Sequence, residues 1–118
     1  MEYLARSANP EQGQSSQTYA RHILGVREYA ERNILPLIPL LPPDILVFLK
    51  SALFPAAEFH DLGKLDDENQ AVLQGKKKSK ALPIIHSDAG VVKLLQDGRV
   101  QAALLVASHH AGLLNIVA

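Results

Sequence analysis

Cysteine is absent from this 118-residue chain, which excludes a disulfide framework and any thiolate-held zinc site. The absence is compatible with a reducing cytoplasm, the expected compartment. Net charge is absent as well: 12 Lys and Arg balance 12 Asp and Glu. No global field therefore draws the protein to nucleic acid or membrane, and polyanion binding must come from a local patch or from metal ions. An unbroken apolar run long enough to cross a bilayer is also missing. The run over 34–41 is interrupted by Pro36 and Pro39, and the run over 102–118 carries His109 and His110. The first 17 residues lack the apolar core of a signal peptide. No Gly-x-x-x-x-Gly-Lys phosphate loop occurs, so ATP-driven movement on a polymer would belong to another chain or segment. Strand-type alternation, internal repeats and low-complexity tracts are missing too.

What is present is helical punctuation, enough for one all-α domain that buries about two-thirds of its unfolded surface. Residues 1–17, rich in Ser, Gln and Gly without periodicity, read as a loose arm, and the domain spans 18–118. From Thr18, the apolar residues Tyr19, Ile23, Val26, Ala30 and Ile34 recur at steps of three and four, which predicts an amphipathic helix with His22 close to its buried side. Four prolines between Leu35 and Pro43 make a stiff connector. Asp44 is the expected cap of a second helix carrying Ile45, Leu49, Leu53, Ala56 and His60, with Pro55 starting a new segment or kinking the old one. Gly63 is the expected stop. Asp66 caps a short helix that ends at Gly75, Lys76 to Lys80 form an exposed basic loop, and two helices follow, over about 87–96 and 99–110.

The chemistry concentrates in the histidines. Adjacent His60-Asp61 offers one nitrogen and one oxygen ligand, a set that suits a transition metal, while the carboxylate can also bridge two ions. Alone, such a dipeptide is as easily a helix-end pair satisfied by backbone. Lys64, one turn on, is either a cation favoured at a helix C-terminus or a phosphate contact. His109-His110 is harder to dismiss, because adjacent helical residues diverge by about 100° and can serve two ions or an ion and a substrate. His86 has Gly90 one turn later, which removes bulk beside it. His22 alone is an ordinary core histidine. Jointly, all five histidines of the chain fall near buried helix faces. That would be costly to desolvate unless they share an ion, and helical bundles build such ions into their cores. Two ions about 3.5–4 Å apart would clamp a scissile phosphodiester and activate a water, and no serine or cysteine stands ready as nucleophile.

The order His22, His60-Asp61-Leu62-Gly63-Lys64, His86-Ser87-Asp88-Ala89-Gly90, Ser108-His109-His110 resembles the HD superfamily of metal-dependent phosphohydrolases. The paired His109-His110 is similar to the CRISPR-associated HD nuclease that partners, or is fused to, the type I interference helicase. The resemblance covers about residues 18–112. It implies an HD-type helical bundle that degrades single-stranded DNA opened by a surveillance complex. It also implies His22, His60, Asp61, His86, His109 and His110 as metal ligands, with Asp61 bridging and catalytic and Lys64 a catalytic phosphate contact. The implied cofactor is one or two divalent ions: Mn, Ni, Co, Fe or Mg. The implied partners are single-stranded DNA, the helicase and the surveillance complex, and no membrane. Asn69-Gln70 matches a family segment that usually reads Phe-Gln. The family supplies a further aspartate from a later helix, whereas no acidic residue follows Asp97 here, so a C-terminally truncated domain is expected, with Leu113, Leu114, Ile116 and Val117 left for a missing helix to cover. Two other readings stay open: an HD phosphohydrolase acting on nucleotides or cyclic dinucleotides, and an inactive metal-binding scaffold.

Overall fold

A computed structural model describes the backbone of residues 2–111 and the side chains of residues 2–109. Five α-helices make up most of it: α1 (Tyr19–Ile34), α2 (Pro43–Phe59), α3 (Asp67–Leu73), α4 (His86–Gln96) and α5 (Val100–Ala111). The expected all-α class holds. α1 starts where its sequence says it should, with the Thr18 side chain accepting a hydrogen bond from the Arg21 amide at 3.2 Å. Its inward stripe, Tyr19, His22, Ile23, Val26, Ala30 and Ile34, is partly or fully buried, and the residues between are exposed. That stripe packs on α2, which in turn packs on α4 and α5. The buried centre is Ala56, Leu94, Ala102, Ala103 and Val106, with Phe59 and Val91 against it. Three of these five are alanines, so the helices approach closely, and α2 ends within reach of both α1 and α4.

Three expectations about α2 and its exit need correction. Asp44 does not cap the helix: Pro42 occupies the cap position without a side-chain bond, Pro43 opens the helix, and Asp44 sits in the first turn, where its charge still favours the helix dipole. Pro55 does not divide the segment, and α2 runs through it to Phe59. The carbonyl deprived of its donor is that of Ser51, an exposed residue, so solvent can satisfy it. Gly63 is not the helix stop. α2 ends at Phe59 with His60 as its C-cap, and Gly63 lies in a 3-10 turn over Leu62–Leu65.

The amino-terminal segment also departs from expectation. Leu4–Arg6 (β1) pairs antiparallel with Gln17–Thr18 (β2), and Asn9 bridges Gln14, so residues 4–18 form a short ribbon rather than a loose arm. Its backbone groups find partners far along the chain. Leu4 N–H donates to Gln70 Oε1 at 2.9 Å, Gln70 Nε2 donates to the Leu4 carbonyl at 2.8 Å, and Ser7 Oγ donates to the Leu73 carbonyl at 2.8 Å. The short helix α3, capped by Asp66 onto the Glu68 amide, thus serves as the ribbon's mount. Lys76, Lys77, Lys78 and Lys80 are exposed, as expected. Among the described residues, no helix is long and apolar enough to cross a membrane.

Candidate metal centre

His60 caps α2, and its conformation is set by its own helix. Nδ1 lies 2.8 Å from the Ala57 carbonyl, which can only accept, so Nδ1 carries the proton and Nε2 is turned toward the protein interior. Asp61, the next residue, leaves the helical path and lies at the start of the 3-10 turn. His22 reaches the pair from α1. His22 Nε2 is 2.9 Å from Asp61 Oδ2, His60 Nε2 is 3.2 Å from the same oxygen, and the two Nε2 atoms are 3.3 Å apart. Three donor atoms from positions 22, 60 and 61 therefore form a nearly equilateral triangle. An ion about 2.0–2.2 Å from each of three ligands holds them about 3.0–3.5 Å apart, which the triangle matches.

The remaining expected residues take different places. Lys64 Nζ stands 3.1 Å from Asp61 Oδ2 and donates to the Ala5 carbonyl at 3.2 Å, so its ammonium belongs to the site. His86, the first residue of α4, puts Nε2 3.7 Å from the other carboxylate oxygen, Asp61 Oδ1. His109 reaches the edge of the cluster, its ring centroid 5.6 Å from that of His60. The tight group is thus His22, His60 and Asp61, with His86 and His109 beside it. The side chain of His110 and the apolar residues Leu113, Leu114, Ile116 and Val117 lie outside the described residues.

Burial and charge shape how these groups hold protons. For Asp61, burial works to raise the pKa, but the hydrogen bond and charge of His60 and the Lys64 ammonium overcome it and hold the carboxyl well below the usual range. For His60, burial works to lower the pKa, but bonds to Asp61 and the Ala57 carbonyl, with the charge of Asp61, outweigh it and raise it. His22 ends below its ordinary value because burial dominates and Asp61 offsets only part of it.

Several residues build the site in ways other than those the sequence pattern gave them. Asn69 is fully buried, and its amide donates to the carbonyls of Gly63 at 2.9 Å and Ile84 at 3.0 Å while accepting from the Ile84 N–H at 2.9 Å. It thereby fixes the chain entering α4 onto the turn after His60-Asp61 and sets where His86 begins. Gly63 allows that approach, since a Cβ there would lie 2.5 Å from the His86 Cα. Gly90 acts differently from expectation. It does not open space beside His86, because a Cβ at Gly90 would collide with the Phe59 carbonyl, so this glycine lets α4 cross the end of α2. Tyr19, one turn before His22, has a buried hydroxyl without a hydrogen-bond partner among the described residues. Its pKa is pushed up to about 12, first by burial and then by the charges of Asp61 and Glu58. In sequence, Asn69-Gln70 stood out only as a match to a family segment, with nothing to mark the bonds it makes. An apolar groove of about 500 Å³ adjoins the histidines, walled by Val26, Leu53, Ala56 and Val106 and reaching Tyr29 and Asn33.

Compared with protein-family models, curated proteins and solved structures, the chain matches none.

Proposed function

We propose that this chain is a metal-dependent phosphohydrolase domain, a nuclease that hydrolyses phosphodiester bonds of single-stranded DNA, with His22, His60 and Asp61 as its primary ion ligands. The observation that carries the reading is the triangle of His22 Nε2, His60 Nε2 and Asp61 Oδ2, with edges of 2.9, 3.2 and 3.3 Å. Two imidazoles and one carboxylate fit Mn, Ni, Co or Fe better than Mg, whose preference is for oxygen. A divalent ion held there would supply Lewis acidity toward a phosphoryl oxygen and acidify a water. The chain's own groups supply the rest. Asp61 orients through both oxygens, Lys64 offers a cation to the phosphate, and His86 stands on the Oδ1 side. The histidine order, including His109-His110, supports the narrower proposal of a cytoplasmic CRISPR type I interference nuclease that works with a helicase and a surveillance complex.

One observation favours a second reading. The groove beside the histidines is mostly apolar and has no Lys or Arg in its lining, which suits the uncharged part of a nucleotide better than a phosphate chain.

The test is metal content of the purified protein, followed by cleavage of single-stranded DNA and of a mononucleotide with Mn, Ni or Co added. Wild type should hold the ion and cleave, while His22→Ala and Asp61→Asn should lose both. A wild-type protein that binds none of these ions, or an Asp61→Asn variant that still cleaves, removes the reading.

A further inference from the structure

The ammonium of Lys64 poses a physical question. It lies against the one oxygen, Asp61 Oδ2, that also faces His22 and His60, so it competes with any cation for that oxygen. A lysine side chain costs up to about 2 kcal/mol of rotamer entropy to fix, and a free one would swing to solvent when a divalent ion arrived. This one is only 17% exposed and has a second anchor, the Ala5 carbonyl at 3.2 Å. Ala5 is itself buried in the centre of β1. Besides its pairing with β2, β1 is bonded by the side chain of Gln70, which joins both the N–H and the carbonyl of Leu4 and also donates to the carbonyl of Lys64 at 2.7 Å. A single glutamine, 4% exposed, thus ties the strand that anchors the ammonium to the backbone that carries it.

We infer that the amino-terminal ribbon is a working part of the metal centre: Gln70 pins β1 so that the Ala5 carbonyl holds the Lys64 ammonium at Asp61, which weakens ion binding and strengthens phosphate binding. The inference rests on His22, His60 and Asp61 being ion ligands. Gln70 and β1 are positioning elements that act through Lys64. The consequence is a pair of effects with opposite signs. Releasing the ammonium removes a like charge from beside the ion, so the ion binds more tightly. The same release removes a cation from the place where an anion docks, so phosphate binds more weakly. Simple damage to the site would weaken both.

The experiment measures Mn²⁺ affinity by calorimetry, and inorganic phosphate affinity of the Mn²⁺-loaded protein, in the full chain. Lys64→Met should bind Mn²⁺ at least about tenfold more tightly, the effect of one unit charge ~5 Å from a divalent ion even at the dielectric of water, and phosphate about tenfold more weakly. Gln70→Met should move both in the same directions by about threefold, and in the Lys64→Met background it should change neither, because the coupling runs through the ammonium. Leu4→Pro, which removes the N–H that Gln70 Oε1 accepts and exchanges the leucine side chain for a ring, should move both affinities in the same directions with the buried glutamine intact. Looser Mn²⁺ binding in Gln70→Met and Leu4→Pro, or effects that simply add to those of Lys64→Met, overturn the inference while leaving the ion site standing. A wild-type protein that binds no Mn²⁺ overturns the site reading itself.

Discussion

Replacing Gly63 by alanine should destabilise this protein, although the substitution suits the local backbone. Gly63 has no positive φ, so alanine fits its conformation, and the loss of unfolded-state freedom would contribute about 0.4–1 kcal/mol in favour of folding. Against this stands the packing. An alanine Cβ would lie 2.5 Å from both the Cα and the carbonyl oxygen of His86 and 2.8 Å from its carbonyl carbon. All three are backbone atoms, so no side chain can turn aside, and the start of α4 must retreat by about 0.9 Å to reach an ordinary 3.4 Å contact. Asn69 resists that retreat through its bonds to Gly63 and Ile84. Overpacking of this kind costs about 1–3 kcal/mol and exceeds the entropic gain. The net loss, roughly 1–2 kcal/mol, lowers the Tm of a domain this size by roughly 5 °C or more. The control is Gly25→Ala. Gly25 lies inside α1 with nothing within 4 Å of an added Cβ, so alanine there should stabilise by about 1 kcal/mol. Thermal and urea unfolding of the two variants should move in opposite directions. A Gly63→Ala protein as stable as Gly25→Ala would show that α4 does not rest on the turn after Asp61.

Three further outcomes follow from the site. Because the Asp61 pKa is lowered on folding, its contribution is present above its unfolded value near 3.8 and is lost as pH falls below it, so the urea midpoint of the metal-free protein should drop between about pH 4 and 2. Asp61→Asn should flatten that drop, and an unchanged acid limb would refute the assignment. Because the His60 pKa is raised, ion binding must expel a proton below that value, and Mn²⁺ affinity should fall by about tenfold per pH unit there. Calorimetry in buffers of different ionisation enthalpy checks this, and the absence of proton release would exclude His60 as a ligand. Asn69→Ala leaves the Gly63 carbonyl and both backbone groups of Ile84 without their partner and should cost at least ~2 kcal/mol in urea unfolding.

The sequence carried the helices because their stripes are local. Tyr19 to Ile34 spells one buried face starting at Thr18, Asp66 is a cap read from its immediate neighbours, and Gly98, at φ 73, follows the end of α4 as a glycine should. The cluster of His22, His60 and Asp61 was legible for a different reason: histidines are few in this chain, and the three groups that could hold an ion each lie on an inward face. His22 and Asp61 are 39 positions apart, yet they meet because each already faced inward on its own element. What escaped were contacts whose two halves look ordinary alone. Nothing in Leu4 announces a partner 66 positions away, and a buried Gln70 is indistinguishable in sequence from a solvated one. The glycines failed similarly. Gly63 and Gly90 read as a stop and a gap, while their function is to let His86 and Phe59 backbone approach, a fact that resides in the crossing of helices.

The charge balance at Asp61 connects these observations. The Asp61 side chain is only 6% exposed, and the hydrogen bond and charge of His60, with the Lys64 ammonium, hold its carboxyl ionised against that burial. His60 Nδ1 already carries one proton for the Ala57 carbonyl, so a second proton, on Nε2, makes the ring cationic and lets it donate to Asp61 Oδ2. Without that proton, the lone pairs of His60 Nε2 and Asp61 Oδ2 would face each other at 3.2 Å and repel. His22 Nε2, 2.9 Å from the same oxygen, likewise needs its proton to donate there, so the two Nε2 atoms lie 3.3 Å apart because they share one acceptor. Asp61 Oδ2 is thus the shared acceptor of two imidazoles and one ammonium. Under the proposed function, His22, His60 and Asp61 would hold a divalent ion in place of the ring protons. The ammonium stays beside Asp61 through its bond to the Ala5 carbonyl, and under the proposed function it would face an incoming anion from there.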